Sequence, residues 1–155
     1  MFDAVYCSPL CRAKVTAQIV CDRLDVNFEP IVIHRLVERD FGIMTGKPSS
    51  EIERLCSPDI IKTDTITYFL CPIGAETFPD LIRRGSLVLN HVNSLHSTGN
   101  VLLVCHGDIG KMIYVAATGK HWEDVLRNFH FGNGDLIEVG NTKEAHVVKL
   151  PQQNL

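Results

Sequence analysis

The stretch "NVLLVCHG" (100 to 107) constrains the fold most, because four consecutive apolar residues, Val101 to Val104, are bounded by turn-prone residues on both sides. Such a run belongs to a strand buried on both faces of a parallel sheet. "DIGKMIYVAATG" follows at once and reads as a helix ending at Gly119. The pairing recurs at the start of the chain, where Phe2 to Cys7 reads as a short buried strand and residues 8 to 24 as a helix. In that helix Leu10, Ala13, Ala17, Val20, Cys21 and Leu24 recur at three-and-four spacing. Ser8 is the expected N-cap, with Pro9 at the first helical position.

The rest of the chain supports the same alternation. "FEPIVIH" (28 to 34) is expected as a buried strand, and "RLVERDFGIMTGKPSSEIERL" as a loop leading to a short helix capped by Ser49 or Ser50. Residues 56 to 75 show no clear period and carry Pro58, Pro72 and Gly74, so they are expected to be irregular with short helical pieces. From Glu76 to about His96 a second amphipathic helix is formed by Phe78, Leu81, Ile82, Leu89, Val92 and Leu95. "HWEDVLRNF" adds a turn or two of helix, and "GDLIEVG" with "EAHVVKL" predicts a terminal hairpin. The whole reads as an α/β sandwich, and the absence of repeats, low-complexity tracts and linkers predicts one domain over 1 to 155.

Composition narrows the function classes. At 155 residues, 45% hydrophobic, 21% charged and a net charge of -3, the chain is an ordinary globular sequence with no basic excess for nucleic acid. No apolar run approaches the ~20 residues of a membrane span, and the start lacks the pattern of a signal peptide. A cytoplasmic location follows as an expectation. Six cysteines without any C-x-x-C pair are expected as free thiols, Cys21 and Cys105 acting as small buried hydrophobes, with no metal site and no cofactor.

Sites in open α/β sheets lie beyond the carboxyl ends of the strands, and two such ends carry chemistry. "VYCSPLCRA" delivers Arg12 on the opening turn of a helix, where backbone N–H groups also favour an anion. "VLLVCHGDIG" places His106 at the tip of the other strand, with Gly107 allowing close approach of a ligand. Each has a plainer explanation: a solvated surface arginine, a hydrogen-bonded turn histidine. Glu76, likewise, serves a helix dipole as well as it would serve catalysis. Spacing alone leaves phosphate binding open.

The combination resembles the histidine phosphatase superfamily, which includes phosphoglycerate mutases and alpha-ribazole phosphatases. Ser8-Pro9-Leu10-Cys11-Arg12-Ala13, with Thr16-Ala17, is similar to that family's "S-x-L-x-R-A-x-x-T-A" motif. Leu36, Glu38, Phe41, Gly42 and Gly46 resemble its "L-x-E-x-x-F-G-x-x-x-G" loop, and Gly74-Ala75-Glu76-Thr77, then Asp80 and Arg84, its "G-x-E-S" helix start. "VLLVCHG" resembles the strand that ends in the second catalytic histidine, and "FGNGDLIEV" a late asparagine-containing strand entry. The resemblance implies a phosphoglycerate mutase-like three-layer α/β sandwich with a mostly parallel sheet. It implies that Arg12 and His106 bind a phosphoryl group and that Glu76 donates a proton to the leaving oxygen. The substrate class would be a small phosphorylated molecule or inorganic phosphate.

Three departures qualify that expectation. Nothing in the sequence matches the Arg-His-Gly that supplies the family's phosphorylated histidine, so the chain is expected to begin at the family's second strand and phosphohistidine catalysis to be absent. Thr45 stands where many members carry glutamate, and Thr77 where serine is commoner. A missing sheet strand would leave unpaired backbone groups, to be satisfied either by direct pairing of the first and fifth apolar segments or by a strand from a second copy in a homodimer. Two rival readings stand beside this one. A non-catalytic binder on the same fold is one; the other is a cysteine phosphatase in which Cys105 attacks and Lys111 replaces the clamping arginine.

Overall fold

The computed structural model describes residues 1–130, 132–140 and 145–148. They form two compact units, one from residues 1–39 and 79–113, the other from 40–78 and 114 onward.

The first unit is built on a three-stranded, all-parallel sheet. Strand β1 (Ala4–Cys7) occupies its centre, with β2 (Ile31–Val32) on one side and β5 (Val101–Val104) on the other. Registers are Tyr6 to Ile31 and Cys7 to Val32 on one flank, and Ala4 to Val101 through Cys7 to Val104 on the other. The β1–β5 ladder runs past both ends, from the Asp3 N–H on Asn100 O (2.8 Å) to the Ser8 N–H on Val104 O (2.9 Å). Of the two ways open for satisfying the sheet, direct pairing of the first and fifth apolar segments is the one observed.

Because side chains alternate across a strand, β1 serves two faces. Val5 and Cys7 pack with Ala17 and Cys21 of α1 (Cys11–Leu24), joined by Phe2, Val26, Phe28, Leu102 and Val104. Tyr6 donates to or accepts from His96 Nε2 (2.9 Å), just past the end of α3 (Phe78–Leu95). Helix, sheet and helix thus make three layers. On α3, Leu81, Val88 and Val92 are buried. Gly85 lies on that stripe because a Cβ there would come within 3.2 Å of Ile113 of α4 (Gly107–Thr118), so glycine lets the two helices approach.

Several expectations are corrected here. The strand buried on both faces is β1, whose residues are all buried, whereas Val101–Val104 are half-buried because β5 flanks the sheet. "FEPIVIH" contributes only Ile31 and Val32, exposed at 50% and 41%, because they flank the sheet on the other side. Helix α1 starts three residues after Ser8, and its N-cap is Leu10 without a side-chain bond. Ser8 instead closes a turn, its Oγ accepting the Leu10 N–H (3.3 Å).

The second unit is made of short elements. A helical turn at Ser49–Glu51 leads into α2 (Ile52–Cys56), but Pro48 and Glu51 occupy the cap positions and neither Ser49 nor Ser50 caps. The supposedly irregular 56 to 75 region holds an antiparallel hairpin, β3 (Ile60–Lys62) with β4 (Thr67–Phe69). Thr63 Oγ1 organises its turn, accepting the Ile66 N–H (3.0 Å). Met44, Ile52 and Cys56 form a core with Phe41, Leu55, Ile60 and Phe69. Phe78 stacks on Trp122 of α5 (Trp122–Asn128), centroids 5.4 Å apart. The terminal hairpin is present as β6 (Leu136–Val139) and β7 (Ala145–Val148), while Glu144, Lys149 and Leu150 of its expected segments, and Phe131 of the "FGNGDLIEV" stretch, lie outside the described residues.

Candidate functional site

Parallel pairing of β1 and β5 brings their carboxyl ends side by side, and each chain leaves the sheet into a helix there. That topology makes Arg12 and His106, 94 residues apart, neighbours: Arg12 Nε donates to His106 Nδ1 at 3.2 Å. On the other edge of the ring, His106 Nε2 lies 2.7 Å from the fully buried Ser8 Oγ. The tautomer follows from donor and acceptor chemistry. A guanidinium can only donate, so Nδ1 must present its lone pair and the ring proton must sit on Nε2, where Ser8 Oγ accepts it. Desolvation first, then the charges of Arg12 and Arg84, hold the imidazole below its ordinary value of 6.5, with Glu38 opposing them. At neutral pH the ring is uncharged.

A second, partly buried set of charges adjoins this pair. Glu38 turns its carboxylate onto the start of α4, accepting the N–H groups of Asp108 (3.3 Å) and Ile109 (3.2 Å) and its neighbour Arg39 (2.9 Å). A carboxylate is favourable at a helix N-terminus, so this end of α4 is already neutralised by the protein. Arg39 Nε pairs with Asp108 Oδ2 at 3.0 Å, both side chains nearly buried. Burial pushes the Asp108 carboxyl up despite Arg39, and pushes the buried Lys111 ammonium down despite Asp108 and Glu38. Arg84 of α3 fixes the backbone of this segment, its guanidinium donating to the carbonyls of Arg35 (2.7 Å), Val37 (2.6 Å) and Glu38 (3.4 Å).

Gly107 is exposed and a Cβ there would approach Glu38 Oε2 no closer than 3.8 Å, an ordinary contact, so steric crowding does not require glycine. Cys105 is half-buried, and desolvation pushes its thiol up to about 12. A thiol so weakly acidic is overwhelmingly protonated near pH 7, which weighs against Cys105 as a nucleophile. Cys21 is buried as expected, none of the six cysteines forms a disulfide, and no cluster among the described residues has the make-up of a metal site.

Glu76 belongs to the second unit, two residues ahead of α3, half-buried, with its N–H on Asp40 O (3.0 Å). Its loop is locked to the 40 to 46 segment by a bridge between Phe41 and Ala75 and by the Ile43 N–H on Ile73 O (3.0 Å). Gly42, at φ +53°, is where the two loops touch: a Cβ would fall 2.3 Å from Ile73 O and 2.4 Å from Ala75 N. The motif glycine therefore has a steric reason. Sequence reasoning brought Arg12 and His106 forward but not Ser8 as a site residue, nor Glu38 and Arg84 as its supports; their only signal was membership of the resembling motifs.

Comparison with known proteins places the chain in a family. The profile of the histidine phosphatase superfamily (branch 1) matches residues 1–154. A 2,3-bisphosphoglycerate-dependent phosphoglycerate mutase of Bartonella tribocorum is 26% identical over 128 residues, covering 81% of this chain and 62% of that protein. Its counterpart in Brucella ovis is 28% identical over 129 residues, covering 81% and 63%. The chain therefore spans less than two thirds of the length of these relatives. Among solved structures, the alpha-ribazole phosphatase of Shigella flexneri superposes with a TM-score of 0.64 at 22% identity, covering 97% of this chain and 73% of that one. A phosphoserine phosphatase from Entamoeba histolytica in complex with 3-phosphoglyceric acid gives 0.63 at 18% identity, covering 88% and 66%. The α/β fold with its parallel sheet is thus of the phosphoglycerate mutase-like kind, and the chain belongs to the histidine phosphatase superfamily.

Proposed function

We propose that this chain binds the phosphoryl group of a small phosphorylated metabolite, or inorganic phosphate, at Arg12 and His106. It would stand among the phosphomonoester hydrolases and mutases of its family while carrying no phosphohistidine step on its own residues. The 3.2 Å approach of the Arg12 guanidinium to the His106 imidazole supports this most directly. The guanidinium of such a pair can hold a compact anion by charge-assisted bonds, each contributing roughly 1.5 to 3 kcal/mol. His106 has both nitrogens engaged, which weighs against its acting as a nucleophile. Glu76 is carried as the proton donor on the strength of the family motif alone, within a reading that treats 1 to 155 as one domain, free of metal and cofactor.

Titration calorimetry with phosphate tests the reading: binding in the parent should weaken tenfold or more in Arg12→Ala. Hydrolysis of p-nitrophenyl phosphate by the parent should be no faster than by Arg12→Ala. A clear rate that falls in both His106→Ala and Glu76→Gln would instead establish turnover. Binding without turnover is the non-catalytic reading, favoured by the closed hydrogen bonding of His106. Direct pairing of β1 with β5 supports a sheet formed within one chain, and a homodimer stays a possible part of the proposal. No described helix is long and apolar enough to cross a membrane, and a cytoplasmic setting remains part of the proposal.

A further inference from the structure

The fully buried Ser8 hydroxyl is the one polar group at the site whose purpose the phosphate-binding reading leaves unexplained. Its oxygen receives two donors, the Leu10 N–H at 3.3 Å and the His106 Nε2 edge at 2.7 Å. With both lone pairs occupied, Ser8 acts toward His106 as an acceptor, and the opposite ring nitrogen is left as a bare lone pair facing Arg12. This order is the reverse of a hydrolytic serine–histidine couple, in which the histidine must accept from the serine and an acceptor must sit behind the ring. Arg12 is a donor, so Ser8 is not activated for attack.

An anion arriving at the guanidinium meets a difficulty. Its oxygens carry lone pairs, and so does His106 Nδ1, so the imidazole as it stands would repel the ligand rather than bind it. Resting on the phosphate-binding reading above, we propose that Ser8 is a positioning residue that, together with Arg12 on the opposite ring nitrogen, keeps His106 in its Nε2–H form, so that binding of an anion beside Arg12 draws one proton from solvent onto Nδ1. The balance is simple: neutral imidazole, anion and solvent proton become an imidazolium hydrogen-bonded through Nδ1–H to the anion and through Nε2–H to Ser8. Arg12 turns from the ring to the ligand. A shift of the neutral ring to Nδ1–H, with the Ser8 hydroxyl turned to donate to Nε2, is the competing outcome, and it would take up no proton.

The charges that face the ring are Arg12 of α1, Arg84 of α3 and Glu38 from the segment between β2 and α3. The two arginines oppose protonation of the empty site and Glu38 favours it, with desolvation the largest opposing influence. A bound dianion adds negative charge beside Arg12 and tips that balance toward the imidazolium.

The experiment uses two measurements. Long-range nitrogen–proton NMR of histidine-labelled protein at pH 7.5 without ligand should show His106 as the neutral Nε2–H form. In Ser8→Ala and in Arg12→Ala that single form should give way to a mixture; Arg12 is exposed, so its variant remains informative if Ser8→Ala fails to fold. Calorimetry with sulfate, a dianion that does not itself titrate near neutrality, is then repeated in buffers of different ionisation enthalpy. We expect uptake of close to one proton per sulfate at pH 7.5, and affinity falling nearly tenfold per pH unit above that. Ser8→Ala should take up distinctly less than one. An Nδ1–H or fully charged His106 in the ligand-free protein overturns the proposal, as does sulfate binding with no dependence on buffer. If neither sulfate nor phosphate binds, the phosphate-binding reading falls and takes the coupling with it.

Discussion

Two polar neighbourhoods meet at His106, and they are built on opposite terms. On the Glu38 side, the half-buried carboxylate caps α4, while Arg39 and Lys111 are buried and Asp108 is nearly so, each charge facing an opposite one within the protein. On the Arg12 side, an exposed guanidinium makes one bond to a ring nitrogen, and only Ser8 behind the ring is buried. The first arrangement is permanent, since a buried charge that loses its partner has nowhere to turn. The second can be exchanged for a ligand. What distinguishes scaffold from site here is therefore not the residue type, since both contain an arginine, but how fully each arginine is committed.

The contrast can be broken most decisively at Arg39. Arg39→Met leaves the Asp108 carboxyl buried without its guanidinium and should lower stability by about 3 to 5 kcal/mol in urea denaturation. Replacing both partners, as Arg39→Met with Asp108→Leu, should restore much of that loss; a single-variant cost under about 1 kcal/mol would show that this side is no more committed than the other.

A pH series sharpens it next, because the two sides titrate with opposite signs. His106 has a folded value below 6.5, so the unfolded chain binds its proton first and stability is lost as pH falls through 6.5 toward that lower value. Asp108 has a folded value above 3.8, so the native state holds its proton more tightly and this group's contribution improves as pH falls through the raised value. Thermal midpoints at pH 7.5, 6.5 and 5.5 should decline less in His106→Gln than in the parent. The smallest effect is expected from Arg12→Lys, within about 0.5 kcal/mol of parent stability, because an exposed residue with a single bond contributes little to the fold. Phosphate affinity in the same variant should nevertheless drop, since an ammonium cannot present the planar fork of a guanidinium. Loss of stability with unchanged affinity would invert the comparison.

What the sequence disclosed, and what it concealed, follows from the range of each interaction. Helices α1, α3 and α4 and strands β1 and β5 were readable because periodicity and apolar runs are local properties. So was the convergence of Arg12 and His106, once parallel pairing of their strands was assumed. Burial was legible for β1 but overestimated for β5, because hydropathy records a strand's composition while exposure depends on its place in the sheet. The β3–β4 hairpin was hidden by Pro58 and Pro72, which lie outside the strands they seemed to forbid. Ser8 was read as a helix cap because serine before proline suits that role, but its hydroxyl is taken by a histidine 98 residues away. Glu38 illustrates the same limit, since the N–H groups it receives on α4 lie 70 and 71 residues later.

Arg84 carries one further consequence. The run from Arg35 to Glu38 contains no strand that could gather its carbonyl groups, and three of them converge on one side chain of α3. That side chain is, in effect, a one-residue substitute for a missing neighbour in a sheet, and it is anchored to a rod rather than to a ribbon. Any sliding of the rod along its axis would tug the Glu38 backbone with it, and through the Glu38 carboxylate the first turn of α4, where His106 is attached. A shift of one helix is thereby geared to the aim of an imidazole on another.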